Sequence, residues 1–206
     1  MSLPPKFKGQ KLATADTKNT PHTLELYLDY VCPFSAKMFH TFYKDVKLII
    51  AEKYPSQLQV IFKQQIQPWH PSSTLVHEAG AAVLKVAPEK FWEFSEALFQ
   101  KQTDFFDLNV VNETRNDTYK RLAEIAASVG VDSKQVFDLL VIAPREGGHL
   151  NGGNGVTDDI KLMIKANRVI GVHVSPTVFF DGIEERSISS SFSVSQWDDW
   201  LRNNVV

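Results

Sequence analysis

The chain has 206 residues, of which 22 are Lys or Arg and 24 are Asp or Glu. This length and composition are typical of one globular domain that buries a sizeable core and needs no disulfide or metal to stay folded. The formal net charge of −2 gives no electrostatic reason to bind nucleic acid or an anionic membrane. No stretch approaches the ~20 consecutive apolar residues that span a bilayer, and no apolar signal-peptide core follows Met1. The sequence therefore predicts a cytoplasmic protein without nucleic-acid or membrane partners.

Cys32 is the single cysteine of the chain. One cysteine excludes an intramolecular disulfide and a cysteine-based zinc cluster. His70 and His77 do not have the spacing of a known zinc motif. We therefore expect no metal and no permanently bound cofactor, while the oligomeric state stays open.

The predicted elements begin after a polar N-terminal arm. Residues 1–20 lack an apolar period and are expected to be mobile or loosely packed. Residues 23–30 alternate leucines with Glu, Tyr and Asp, which predicts a β-strand. Pro33 suits the first position of a helix, and apolar residues recur at helical spacing until Pro55. Residues 58–66 alternate again, so this part is predicted to be a parallel crossover of strand, helix and strand.

The middle of the chain changes to helical periodicity. Between residues 67 and 155, four apolar patterns at helical spacing predict an inserted helical domain. The glycine-rich residues 147–155 lack the Gly-Lys-Ser/Thr of a phosphate loop and are interpreted as a flexible return from the insertion. Most aromatic side chains of the insertion are expected in its core, and the insertion also offers a wall for an apolar pocket: Phe91, Trp92, Phe94, Phe99, Phe105 and Phe106.

Residues 156–206 return to a mixed pattern. Residues 157–159 are expected to cap a helix that Gly171 ends. A strand at 177–180 is followed by Asp181-Gly182, a strong hairpin signal, and the second hairpin strand is predicted to run to about residue 189. Ser193-Val194-Ser195-Gln196 has capping-box spacing and opens a final helix.

The order β-α-β, helical insertion, α-β-β-α, with a cysteine at the first strand-to-helix junction, is the thioredoxin arrangement. The motif Val31-Cys32-Pro33-Phe34-Ser35 resembles the active-site start of DsbA-type thioredoxin-fold proteins. It is also similar to that of kappa-class glutathione transferases, whose helical domain is inserted at the same place. The resemblance implies an α/β, thioredoxin-like fold formed by residues 21–66 and 156–206, with an inserted all-helical domain at 67–155.

Ser175-Pro176-Thr177, just before the hairpin, resembles the cis-proline loop that both groups place opposite the catalytic residue. A cis bond there turns the backbone so that the N–H and C=O groups of Ser175 face a ligand near Cys32. Cis proline is only ~5–6% of X-Pro bonds, so this expectation depends on the resemblance.

Two positions of the chain differ from the DsbA-type pattern, and one from the kappa-class pattern. Ser35 stands where DsbA-type proteins have a second cysteine, and Leu26 stands where they usually have an acidic residue, six positions before the cysteine. Cys32 stands where the kappa class has serine. A disulfide formed by Cys32 therefore cannot be resolved within the chain, and an external thiol must release it, glutathione being the obvious cytosolic candidate.

Cys32 and Ser35 are the candidate catalytic residues. A thiol at a helix N-terminus faces free backbone N–H groups and the positive end of the helix dipole, which stabilise a thiolate and make Cys32 a nucleophile. The alternative is a small buried apolar residue, as unpaired cysteines often are. The Ser35 hydroxyl, one turn on, either donates to the Cys32 sulfur or is an ordinary serine of the first helical turn.

The strands of a mostly parallel sheet place their carboxyl ends at one crevice, which brings the loop after the second strand close to Cys32. His70 in that loop can stabilise or deprotonate the thiol, or belong to a surface turn. The residues expected to bind glutathione or another substrate are Pro33, Phe34, Trp69, His70, Ser175, Pro176 and Thr177.

Three functions are compatible with these residues. The preferred hypothesis is an enzyme, a monothiol thiol-disulfide oxidoreductase or glutathione-coupled thiol transferase, which uses Cys32 on a small thiol or a protein disulfide. The second is a kappa-like transferase or isomerase that uses glutathione as co-substrate on a small apolar electrophile. The third is a non-catalytic module that binds a partner or senses peroxide through Cys32.

Overall fold

The computed structural model describes residues 3–12, 20–142 and 150–205. The four strands of these ranges are β1 (His22–Leu28), β2 (Leu58–Gln64), β3 (Thr177–Phe180) and β4 (Ile183–Glu184). The first three helices are α1 (Pro33–Thr41), α2 (Lys47–Lys53) and α3 (Pro71–Val86). They are followed by α4 (Phe91–Gln100), α5 (Asp107–Val110), α6 (Arg115–Ser128), α7 (Ser133–Leu140), α8 (Thr157–Val169) and α9 (Val194–Asn204).

The four strands form one sheet in the order β2-β1-β3-β4. β1 and β2 are parallel, with His22 opposite Leu58 and Leu28 opposite Gln64. β3 runs antiparallel to both β1 and β4. Five helices lie between β2 and α8, where the sequence predicts the helical insertion. The predicted α/β fold with an inserted helical part is confirmed.

Both faces of the central strand β1 are covered. Leu24, Leu26 and Leu28 are fully buried on one face, within the main core. Tyr27 is buried on the other face, where it packs against Phe179 in a second, smaller cluster. The carboxyl end of β1 is therefore enclosed on both sides, which fixes the position of the turn that leads to Cys32.

The predicted long helix after Pro33 is present but is not uniform. α1 and α2 are joined by a π-helical turn at Phe42–Val46, and α2 ends at Lys53, before Pro55. The predicted apolar face is confirmed, because Phe39, Phe42, Val46 and Ile50 are all fully buried.

The insertion is built on the aromatic core that the sequence predicts. Its buried aromatic side chains include Phe91, Trp92, Phe94, Phe99 and Phe105, and Tyr119 is buried as well. α5 and the short 3-10 helix Gln102–Phe105 were not predicted, and they bring Phe106 to the surface of a cleft beside Pro33. Within the described residues, no helix is long and apolar enough to cross a membrane.

Two predicted boundaries near the C-terminus are wrong. The second hairpin strand spans only Ile183–Glu184, because the Glu185 carboxylate accepts the N–H of Ser187 at 2.9 Å and turns the chain. Val156, and not the run 157–159, occupies the N-cap position of α8, and its side chain makes no capping hydrogen bond. The Thr157 hydroxyl accepts the Asn154 N–H at 2.8 Å and so holds the preceding loop. The predicted flexible return at 147–155 lies partly outside the described residues, which exclude 143–149.

The described N-terminal residues are packed, where the composition predicts a mobile or loosely packed arm. Pro5–Gln10 forms a 3-10 helix whose Phe7 is buried in the main core. The Leu12 N–H donates to Val60 O at 2.9 Å and so covers the edge of β2. Phe7 and Leu12 therefore anchor this segment. Because the two residues form no helical or strand period, an analysis of periodicity does not detect the anchoring.

Gly9→Ala should destabilise the protein, since a Cβ at Gly9 would lie 2.1 Å from the backbone oxygen of Pro88. Overpacking of this kind costs about 1–3 kcal/mol. Thermal unfolding should show a lower melting temperature for Gly9→Ala, whereas Lys8→Ala, at an exposed neighbouring residue, should stay close to the wild type. Equal melting temperatures for the two variants would contradict the tight packing of this segment.

Candidate active site

Cys32 is positioned by the start of α1. Its backbone is extended, with φ −89° and ψ 117°, and its carbonyl accepts the first helical bond, from Ala36 N–H at 3.1 Å. Pro33 follows at the first helical position, where its missing N–H leaves no bond unmade. The half-buried thiol of Cys32 therefore lies at the positive end of the helix dipole.

The loop before β3 lies opposite the thiol. The Ser175-Pro176 peptide bond is cis, as the resemblance implies. The Cys32 thiol donates a hydrogen bond to the carbonyl oxygen of Ser175 at 3.4 Å. Thr177 lies at the start of β3, and its hydroxyl donates to Val174 O at 3.0 Å within its own loop. The structure thus brings Cys32 and the backbone of Ser175 together, and it turns the Thr177 hydroxyl away from them.

Ser35 lies beneath the active-site turn and is fully buried. Its hydroxyl oxygen accepts the backbone N–H of Asp29 at 3.2 Å. Among the described residues, no hydrogen bond joins Ser35 to Cys32. This geometry favours the structural interpretation of Ser35, in which its hydroxyl satisfies a buried N–H group of the turn.

A cleft of about 390 Å³ lies beside the Cys32 turn, between the loop after β2 and the insertion. Its lining residues are Val31, Pro33, His70, Ser72, Phe106, Asp107, Leu108 and Asn109. The imidazole Nδ1 of His70 is 3.1 Å from a carboxylate oxygen of Asp107. The predicted binding residues Pro33 and His70 therefore share one cleft, and His70 is paired with an acidic residue of α5.

Two other predicted binding residues are exposed aromatic side chains. Phe34 is 64% exposed in the first turn of α1, and Trp69 is 61% exposed in the loop before α3. Neither residue lines the cleft. Leu108, at the rim of the cleft, is 88% exposed. Phe34, Trp69 and Leu108 thus present large apolar side chains to solvent.

Several functional contacts were not anticipated from the sequence. Gln102, in the insertion, donates from its amide nitrogen to Tyr30 O at 2.7 Å and to Cys32 O at 3.1 Å. Burial raises the pKa of Tyr30 far above its ordinary value, so its phenol stays neutral and donates to Ser95 Oγ at 2.7 Å. No sequence pattern connects Gln102 to Cys32, because the two residues meet only when the insertion folds back.

Asp29 and His77 are also buried together beneath the turn. The His77 Nε2 atom is 3.3 Å from Asp29 Oδ1, and both side chains are fully buried. His70 lines the cleft beside Pro33, whereas His77 is buried next to Asp29, so the two histidines do not share one site. Within the described ranges, no group of three or more His, Cys, Asp or Glu side chains is arranged to hold a metal. A polar residue just beyond the end of a buried strand is the signal that could have identified Asp29.

The chain was compared with known proteins in sequence and in structure. No protein-family model matches the chain. Disulfide bond formation protein D of Bacillus subtilis (strain 168) is 34% identical over 101 residues, which is 48% of this chain and 43% of that protein. The matched part thus spans less than half the length of this relative.

Solved structures match over nearly the whole chain. BdbD from Bacillus subtilis, in its oxidised form, matches with a TM-score of 0.61 and 19% identity, over 96% of this chain and 91% of that one. The chain has a DsbA-type thioredoxin fold. A candidate protein-disulfide isomerase from Pseudomonas syringae matches this fold with a TM-score of 0.70 and 23% identity, over 95% and 99% of the two chains. MdbA, a thiol-disulfide oxidoreductase from Actinomyces oris, matches with a TM-score of 0.66 and 18% identity, over 94% and 87%.

Ser35→Ala should destabilise the protein without abolishing the reaction of Cys32 with iodoacetamide. The change leaves the buried N–H of Asp29 without its acceptor, which costs about 1–3 kcal/mol. Urea unfolding would measure the loss, and the alkylation rate would be compared at a temperature where both proteins are folded. A large fall in alkylation rate with unchanged stability would instead favour a direct bond between Ser35 and the thiol.

Proposed function

We propose that this chain is a thiol-disulfide oxidoreductase that uses Cys32 as its only nucleophile and glutathione as the releasing thiol. The observation that carries the proposal is the position of Cys32, half-buried at the start of α1 and hydrogen-bonded to Ser175 O, with a serine in place of a second cysteine. Helix N-termini stabilise thiolates, and the thiolate is the attacking form.

The proposed reaction has two exchange steps. The Cys32 thiolate attacks the glutathione sulfur of a mixed disulfide between glutathione and a protein. A bond forms between Cys32 Sγ and that sulfur, the original S–S bond breaks, and the protein thiolate leaves with the electron pair. A second glutathione thiolate then attacks the glutathione sulfur of the adduct, which yields glutathione disulfide and free Cys32.

The cleft beside Cys32 suits a small peptide ligand. Its volume of about 390 Å³ lies in the range of small-molecule sites. Ser72, in the first turn of α3, lines the cleft and is 1% exposed, and its hydroxyl has no hydrogen-bond partner among the described residues. No side chain caps the N-terminus of α3. A peptide carboxylate would accept hydrogen bonds from such donors, which supports glutathione as the ligand.

Exposed apolar residues suit the other partner of the exchange. Phe34, in the first turn of α1, and Trp69, in the loop after β2, offer exposed aromatic surface, and the backbone of the cis-proline loop would offer hydrogen bonds to an extended peptide. A protein that carries a mixed disulfide with glutathione is therefore the proposed substrate, with no bound cofactor required. We expect these contacts to be weak and sequence-tolerant, since they depend on apolar area and backbone groups.

The cycle requires a supply of reduced glutathione, which is the thiol buffer of the cytosol. We therefore propose that the protein works in the cytosol. Cell fractionation with a compartment marker tests this location, and recovery of the protein only from an oxidising compartment would contradict it.

Cys32→Ser should abolish the exchange reaction. With a glutathionylated peptide as substrate, intact-mass spectrometry should detect a glutathione adduct on the wild-type protein, and reduced glutathione should remove it. Cys32→Ser should form no adduct and show only the uncatalysed rate, because a serine hydroxyl does not attack disulfides. Absence of the adduct on the wild type would overturn the proposal, and glutathione transfer to an aryl halide that survives Cys32→Ser would favour the kappa-like alternative.

Ser35→Cys should make release of the adduct independent of external thiol. The introduced thiol lies one helical turn from Cys32, so it should attack Cys32 Sγ, form an intramolecular disulfide and expel glutathione. Without added glutathione, the adduct lifetime should shorten at least about tenfold, since the attack becomes intramolecular. Ser128→Cys, at an exposed serine ending α6, is the matched control and should leave the lifetime unchanged.

A further inference from the structure

A buried aspartate lies beneath the turn that carries Cys32. It is not one of the two predicted catalytic residues, Cys32 and Ser35. Asp29 follows β1 directly and is fully buried. We propose that Asp29 is a positioning residue, which fixes Cys32 relative to the substrate-binding loop after β2 and to the insertion. The proposal rests on the proposed role of Cys32 as nucleophile.

The backbone and carboxylate of Asp29 hold the Cys-Pro-Phe-Ser turn from within. Its carbonyl oxygen accepts the Cys32 N–H at 3.1 Å, and its N–H donates to Ser35 Oγ at 3.2 Å. Its Oδ1 atom accepts the Val31 N–H at 3.0 Å. One residue is therefore bonded to both ends of the motif and to the residue before it.

The other carboxylate oxygen reaches two further segments. Oδ2 accepts the N–H of Gln67 at 3.2 Å, in the loop that carries Trp69 and His70. It also accepts the Ser73 hydroxyl at 3.0 Å, in the first turn of α3. The carboxylate thus joins the turn, the loop and the insertion in one buried group.

His77 completes the surroundings of Asp29. The Gln64 amide nitrogen lies 3.0 Å from His77 Nδ1 and 2.8 Å from His77 O, so it donates to two acceptors. The other ring nitrogen of His77, Nε2, lies 3.3 Å from Asp29 Oδ1 without a hydrogen bond to it.

The hydrogen bonds that the Asp29 carboxylate accepts come from two backbone N–H groups and one hydroxyl. An ionised carboxylate only accepts hydrogen bonds, whereas an amide of the same shape both accepts and donates. Asp29→Asn would therefore place an NH₂ group against at least one of these donors. An aspartate at position 29 therefore satisfies the surrounding donors, whereas an asparagine does not.

The hydrogen bonds of Asp29 affect the step in which Cys32 attacks a disulfide. The Cys32 thiolate must align with the S–S bond of a substrate whose flanking groups rest against the loop after β2 and against Ser175. A new Sγ–S bond then forms as the substrate S–S bond breaks, and the leaving sulfur takes the electron pair. A small alkylating reagent needs only the thiolate, so it does not report on the position of the loop.

The test compares two rates on the same thiol. The rate constants of Cys32 with iodoacetamide and with the aromatic disulfide DTNB are measured for the wild type and for Asp29→Asn, without added glutathione. Their ratio cancels any change in the amount of thiolate, because both reactions consume it. For Asp29→Asn we expect the DTNB rate to fall at least about tenfold relative to the iodoacetamide rate, since small misplacements of reacting groups cost this much.

Glu78→Gln is the matched control. Glu78 is another buried carboxylate of α3, bonded to Arg115 at 3.0 Å and to Tyr119, and it has no contact with the Cys32 turn. Glu78→Gln should lower the melting temperature but leave the ratio within about twofold of the wild type. Ser73→Ala removes a single donor and should give an intermediate ratio if Asp29 acts through the loop and α3.

An unchanged ratio in folded Asp29→Asn would overturn the proposal, as would an equal fall in Glu78→Gln. If Asp29→Asn does not fold, an unchanged ratio in Ser73→Ala and His77→Gln would overturn it. DTNB reacts with accessible thiols in general, so the ratio is measurable even if glutathione does not release the adduct. A failure of the proposed function and a failure of this inference are therefore distinguishable.

Discussion

The turn that carries Cys32 is built on the buried carboxylate of Asp29. A charged group removed from water costs several kcal/mol unless hydrogen bonds replace the lost hydration. The Asp29 carboxylate accepts hydrogen bonds from backbone N–H groups and from a hydroxyl. These donors come from the turn itself, from the loop after β2 and from α3. The turn that carries Cys32 is therefore complete only when the central sheet and the insertion have both folded.

Because the Asp29 carboxylate accepts a hydrogen bond from α3, the insertion is a part of the site. Gln102 donates to the carbonyl groups on either side of Val31, and His70 and Phe106 both line the cleft. A thioredoxin-like domain alone would lack these contacts.

The replacement of a second cysteine by Ser35 changes what such a site does with a disulfide. With two thiols, the enzyme resolves its own adduct, whereas with one thiol it waits for a partner from solution. The buried hydroxyl of Ser35 accepts the backbone N–H of Asp29. This hydrogen bond gives the polar side chain a structural role at this position that does not involve sulfur. The proposed glutathione-coupled cycle uses this difference, and the cleft beside Cys32 is where the second thiol would bind.

The sequence alone determined the order of elements, the start of α1 at Pro33 and the place of the helical insertion. These features follow from local periodicity, from proline and glycine positions and from capping residues, all of which act over a few neighbours. It also indicated Cys32 as a candidate site residue, whereas the cis bond at Ser175-Pro176 was expected only from the resemblance to known families. The predicted glutathione and kappa-class properties stay predictions.

The tertiary structure decided how these pieces meet. It placed Asp29, Gln67 and Ser73 in one buried cluster, although they lie in three separate segments of the chain. It also showed that Phe7 anchors the N-terminal segment in the core. Hydrogen bonds and apolar contacts between distant segments leave no periodic signal in the sequence, since each depends on where the other segment folds.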